Sequence, residues 1–149
     1  MQRYYASVLV TVAFVIEYYA FLVLQLLTRS DAAARAKARN EPFDHADTKD
    51  QGARLGERAY LNLAEQAPPF LAALWCCTLV ASPRLAALLG GAALTSRFAY
   101  PILWAMGPGG AFNWRVELST QPWYACLMGM LNASALKILL PDLPLDFES

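Results

Sequence analysis

Arg58, Asn62 and Glu65 place a guanidinium, a carboxamide and a carboxylate four and three residues apart, just ahead of Pro68-Pro69 and an apolar run over residues 70–80. With 3.6 residues per turn, a helix gathers the three within an arc of roughly 60°. Arg97, Tyr100 and Trp104 form a second such set, again within an arc of roughly 60° on a later helix. Charged groups leading into hydrocarbon are costly, about 2.5–3.5 kcal/mol near the middle of a spanning helix, so they face a bundle interior or a ligand. The residues alone leave two uses open. The stripes can hold a small polar ligand, or Arg97 can neutralise Glu65 or Glu17 within a bundle while Asn62 bridges helices.

The elements that carry these stripes follow from composition. Of 149 residues, 57% are hydrophobic and only 16% charged, more apolar surface than a soluble chain of this size needs. The apolar residues come in blocks long enough to cross a hydrocarbon layer of about 30 Å, which takes about 20 helical residues. The expected fold is therefore all-α: an integral membrane four-helix bundle in which residues 1–149 form a single domain. Twelve Lys+Arg against twelve Asp+Glu give no net charge, so no basic field draws nucleic acid. Cys76, Cys77 and Cys126 lie in apolar runs and His45, the one histidine, in a polar loop, without the spacing of a metal site.

The first apolar block, residues 6–27, is too long for the core of a signal peptide and reads as a retained first span, with Glu17 near its centre. The alanine-rich, alternately charged segment 31–40 extends that helix beyond the membrane, and Glu41-Pro42 ends it. A solvated loop follows, through Gln51-Gly52. The second span starts near residues 53–57 and runs to about 81, with a proline bend at Pro68-Pro69. Ser82-Pro83-Arg84 is a tight turn into a third span over about 85–106, where Leu89-Gly90-Gly91-Ala92-Ala93 invites close helix packing and Pro101 kinks the helix. Gly107-Pro108-Gly109-Gly110 breaks it, residues 111–121 form a connection, and Ser119-Thr120-Gln121-Pro122 is the start signal of a fourth span over about 122–140. Pro141-Asp142-Leu143-Pro144 and an acidic tail with Asp146 and Glu148 close the chain.

Basic residues orient the bundle. Loops one and three share a side and hold Arg29, Arg35, Lys37, Arg39, Lys49, Arg54, Arg58 and Arg115, against mainly Arg3 and Arg84 opposite, which puts loops one and three in the cytoplasm. Both polar stripes then lie in the cytoplasmic half.

The spacing Arg58-x3-Asn62-x2-Glu65-x2-Pro68-x-Phe70-Leu71-Ala72 resembles the second-helix signature of the MAPEG superfamily, the membrane-associated proteins of eicosanoid and glutathione metabolism. Arg97-x2-Tyr100-x3-Trp104 is similar to that family's third-helix motif, an arginine followed by tyrosines at plus three and plus seven. The resemblance implies a homotrimer with glutathione as co-substrate, bound between adjacent protomers and open to the cytoplasm. It implies glutathione contacts at Arg58, Asn62, Glu65, Arg97, Tyr100 and Trp104, a further one at Arg29, and Arg115 as the candidate for activating the thiol. Gln66 and Trp104 depart from the family pattern, standing where tyrosines are common.

The chemistry is compatible with those roles. Arginines take carboxylates by paired hydrogen bonds, a carboxylate takes the glutathione ammonium, and a cation near sulfur raises the thiolate fraction. The activity implied is transfer of glutathione to a lipophilic electrophile, or reduction of a hydroperoxide, in an endoplasmic-reticulum, other organelle or bacterial inner membrane. The alternatives are a non-catalytic lipid-binding scaffold or subunit of a larger membrane complex, as the 5-lipoxygenase-activating protein is within that family, and an ion or proton carrier built on Glu17, Glu65 and Arg97.

Overall fold

The computed structural model describes residues 4–44, 49–107 and 114–142, and its elements are helical. Arg3, His45, the expected breaker at 108–110 and the tail carrying Asp146 and Glu148 lie outside the described residues.

Helix α1, Tyr5–Ala38, carries the apolar block directly into the charged alanine-rich segment, as expected. Its 34 residues span about 51 Å at 1.5 Å per residue, well beyond the hydrocarbon layer. The helix stops before Glu41-Pro42, because Asn40 turns left-handed at φ 53°. The Asn40 N–H then donates to the Lys37 carbonyl at 3.1 Å and the Glu41 N–H to the Ala36 carbonyl at 3.0 Å, which satisfies the carbonyls of the last turn.

Helix α2, Gln51–Cys76, begins slightly earlier than expected because Asp50 caps it, accepting from the Ala53 N–H at 3.1 Å. The same carboxylate receives Arg35 Nη2 at 2.9 and 3.0 Å, tying the projecting end of α1 to the start of α2. Pro68 and Pro69 lie inside α2. A π-helical turn, Cys77–Ala81, extends it, with the Ser82 N–H reaching the Cys77 carbonyl at 2.9 Å.

Ser82 alone separates this turn from α3, Pro83–Phe98, and its hydroxyl accepts from the Leu85 N–H at 3.4 Å. The expected proline break is present: α3 gives way at Ala99 to the short α4, Tyr100–Ala105. Pro101 has no N–H to offer the Arg97 carbonyl four residues back.

The start of the fourth rod corrects the sequence reading. Helix α5 is Trp114–Leu139, so residues 114–121 are helix rather than connection and Pro122 lies well inside. Ser119 is no cap; its hydroxyl donates to the Ser96 carbonyl of α3 at 2.6 Å. Glu117 in the first turn suits the positive end of the helix, and Gln121 Nε2 donates to Glu117 Oε2 at 2.7 Å across one turn.

The rods pack as a square. α1 lies on α2 and α3, and α5 on α3 and α2. Gly90 in α3 admits Val10 of α1 and Leu74 of α2, each within 3 Å of where a Cβ would stand, while its neighbour Gly91 faces open space. Gly56 lets α2 approach the backbone of Gln25 and the hydroxyl of Thr28 on α1. At the far end, Ser7 joins three elements: Thr78 Oγ1 donates to Ser7 Oγ at 2.8 Å, and Ser7 Oγ donates to the Pro83 carbonyl at 3.4 Å.

Among the described residues, three helical stretches are long and apolar enough to cross a membrane: Tyr5–Ala38, Gln51–Ala81 and Pro83–Ala105. The chain is an integral membrane protein. α5 is long enough, about 39 Å at 1.5 Å per residue, but Arg115, Glu117, Asn132 and Lys137 dilute its apolar face.

Two outcomes follow. Gly56→Ala is expected to cost about 1–3 kcal/mol by forcing α1 and α2 apart, whereas Gly91→Ala is neutral or slightly stabilising; thermal unfolding in detergent, followed by helical circular dichroism, separates the two. Burial opposes charge on Asp50, yet bonds from the Ala53 N–H, Arg35 and the Gly52 N–H together hold its carboxyl below the usual range. Its contribution is therefore complete above about pH 4, the ordinary carboxylate value, and disappears as the pH falls through the lowered one. Hydrogen exchange at Ala53, corrected for intrinsic rate, should stay flat from neutral pH down to that point and accelerate only below it.

Candidate functional site

The first turns of α2, the short α4 and the first turns of α5 enclose a pocket of about 430 Å³ at the end of the bundle nearest loops one and three. Such a volume suits a small ligand. Arg54, Arg58, Asn62 and Glu65 line it from α2, and Tyr100 and Trp104 from α4. The first polar stripe therefore faces Tyr100 and Trp104 of the second across one cavity. Val116, Glu117 and Thr120 close the third side from α5.

The α2 side follows from helical spacing, since Arg58, Asn62 and Glu65 fall on one face. Arg54 extends that face by one turn toward the N-terminus, a signal present in the sequence that served only to orient the bundle. The sequence hides Glu117 and Thr120, because the helix-start signal at Ser119–Pro122 leaves their segment looking like a connection. The break at Ala99 sets Tyr100 and Trp104 on their own short helix, where their rings stack at a centroid distance of 6.1 Å.

Two guanidinium and two carboxylate groups thus line one cavity, with Arg54, Arg58 and Glu65 exposed to solvent. Deeper in, Asn62 Oδ1 and Trp104 Nε1 are shielded from water and have no hydrogen-bond partner among the described residues. A shielded acceptor and a shielded donor without partners carry a desolvation cost that a polar ligand would relieve. The arrangement can hold a small molecule bearing both carboxylates and an ammonium, with amide groups between them.

The remaining sequence-derived candidates stand elsewhere. Arg97 is wholly buried, its guanidinium 4.6 Å from the centre of the Trp123 ring and 5.6 Å from that of Tyr100. It lies outside the pocket lining and makes no ion pair with Glu65 or Glu17, although it attracts Glu17 electrostatically. It acts on the pocket through Tyr100, whose ring is both its neighbour and part of the wall. Arg29 lies 3.7 Å from Glu57 on the α1–α2 seam. Arg115 donates from Nη1 to the Met106 carbonyl at 2.7 Å and is beside, not within, the lining.

Comparison with protein families finds a match to the MAPEG family over residues 6–136. No curated protein matches the chain.

The placement of the two helix arginines predicts different consequences for each. Arg97→Lys, which loses the guanidinium contact with the Trp123 ring, is expected to destabilise the bundle by about 1–2 kcal/mol. Arg58→Ala, at an exposed position, should change stability by less than about 0.5 kcal/mol. Paired thermal melts in the same detergent provide the check.

Proposed function

Because this chain belongs to the MAPEG family, we propose that it is a membrane glutathione transferase that presents the glutathione thiolate to a lipophilic electrophile or hydroperoxide. The observation that carries the reading is the convergence of Arg54, Arg58, Asn62 and Glu65 with Tyr100 and Trp104 on one pocket. Arg54 and Arg58 take the two carboxylates, Glu65 the ammonium, and Asn62 and the Trp104 N–H the peptide groups.

The chain's residues bind, orient and activate. With the carboxylates anchored, the tripeptide has few ways to lie, which converts encounter into positioning. A nearby cation lowers the thiol pKa and the proton leaves to solvent. Arg115 is the candidate for that role, and it must exchange the Met106 carbonyl for the sulfur to perform it. The thiolate then bonds to an electrophilic carbon, whose leaving group departs with the bonding pair. With a hydroperoxide, the thiolate takes the outer oxygen and the alcohol leaves; a second glutathione completes the disulfide and releases water.

A homotrimer belongs to the proposal. Arg29, on the α1–α2 seam outside its own protomer's pocket, is then available to a neighbouring pocket. Loops one and three face the cytoplasm, from which glutathione reaches the cavity. The second reading is a non-catalytic lipid-binding scaffold or complex subunit, and the position of Arg115 outside the lining favours it.

Titrating glutathione into purified protein in nanodiscs while recording thiolate absorbance decides between them. Wild type is expected to bind and develop the thiolate band. Arg58→Ala should weaken binding about 10- to 100-fold, as for a lost charge-assisted bond, and Arg115→Ala should keep binding while losing the band. Equal binding by wild type and Arg58→Ala refutes the site; binding without thiolate or product in wild type leaves the scaffold.

A further inference from the structure

On the other side of the bundle, α1 and α3 enclose an open groove of about 410 Å³ that shares no lining residue with the glutathione pocket. Ala13, Ile16 and Ala20 of α1 and Leu94 and Phe98 of α3 give it an apolar surface. Glu17 is the one ionisable residue in that lining. It is only 7% exposed, and its Oε1 has no hydrogen-bond partner among the described residues. It also falls near the middle of the apolar block of α1, where lipid rather than water surrounds the helix. A carboxylate there, without a bonded partner, is costly unless something satisfies it.

The chemistry of the lining limits what that something is. The Thr95 hydroxyl already donates its proton to the Gly91 carbonyl at 2.9 Å, so Thr95 contributes only acceptor capacity. With Glu17 as a carboxylate, the groove's side chains offer acceptors without a free donor. An occupant that donates a hydrogen bond satisfies that carboxylate. Arg97, on the same α3, already supplies a positive charge that attracts Glu17. A cationic amine would leave surplus positive charge in hydrocarbon, whereas a neutral hydroxyl would not. The Oε1 position is itself shielded, so the groove meets this carboxylate at its other oxygen, Oε2.

We infer that the α1–α3 groove is a binding site, reached from the bilayer, for a neutral lipophilic molecule ending in a hydroxyl, which donates to Glu17 while its hydrocarbon lies along Ala13, Ala20, Leu94 and Phe98. The site is independent of the glutathione pocket and does not rest on that reading. Its volume, within the range of about 300–1,000 Å³ usual for ligand sites, accepts a medium-length chain or a substituted phenol.

The probe is a decanol carrying a photoreactive diazirine, applied to the full chain in nanodiscs, with labelled positions mapped by mass spectrometry. Labelling is expected within residues 13–20 and 94–98, and decanol should compete for it while decane does not. Glu17→Leu should reduce labelling roughly five- to tenfold, the worth of one hydrogen bond, whereas Glu17→Gln, which keeps an acceptor oxygen, should retain it. Ala20→Phe fills the groove without removing the carboxylate and should abolish labelling, which keeps the test decisive if Glu17→Leu fails to fold. Equal competition by decane, or labelling unchanged in Ala20→Phe, overturns the inference. So does efficient cross-linking between copies through Thr95→Cys, which would make the groove an interface between protomers.

Discussion

A column of stacked aromatic rings, ending on a buried guanidinium, links the four rods of this bundle. Arg97 of α3 rests on Trp123 of α5; Trp123 stacks on Phe70 of α2 at 4.8 Å, and Phe70 on Phe14 of α1 at 5.1 Å. One residue from each rod thus enters a single column, and Arg97, Trp123 and Phe70 are wholly buried. In lipid the hydrophobic effect does not drive helices together, so stacking and shape must do so. The column also reaches the pocket, because Arg97 lies 5.6 Å from the ring centre of Tyr100, part of the pocket wall. Replacing the charge would therefore disturb both the packing of the rods and the geometry of the ligand site.

Much of this organisation is legible in the sequence because two simple rules govern it. Apolar block length marks the spans, and helical spacing marks which polar residues share a face. Those rules place Arg58, Asn62 and Glu65 together, and the family motif then sets them opposite Tyr100 and Trp104. The same rules fail for Arg97. Spacing gives its face of the helix but not its depth, and a cation on an aromatic ring looks in sequence like a cation awaiting a ligand. The start of α5 was missed for a different reason: Ser119 and Pro122 imitate a helix beginning, while the Glu117–Gln121 pair that supports the true first turns is a weak local signal.

The two cavities differ in the phase that reaches them. The pocket under α4 has charged groups at its mouth and shielded polar atoms inside, which suits a water-borne zwitterion. The groove between α1 and α3 has a hydrocarbon wall with one carboxylate, which suits a solute already dissolved in lipid. They share no lining residue, so occupancy of one does not sterically exclude occupancy of the other.

The single residue between α2's terminal turn and α3 has a mechanical meaning. Ser82 permits almost no play between those rods, and the Ser7–Thr78–Pro83 hydrogen bonds fasten the start of α1 to the same point. The opposite end of the bundle is joined by longer connections and by the exposed Arg35–Asp50 tie. The clasp therefore sets the helix spacing at the end remote from the pocket, where Ser7, Thr78 and Pro83 meet beside a one-residue turn.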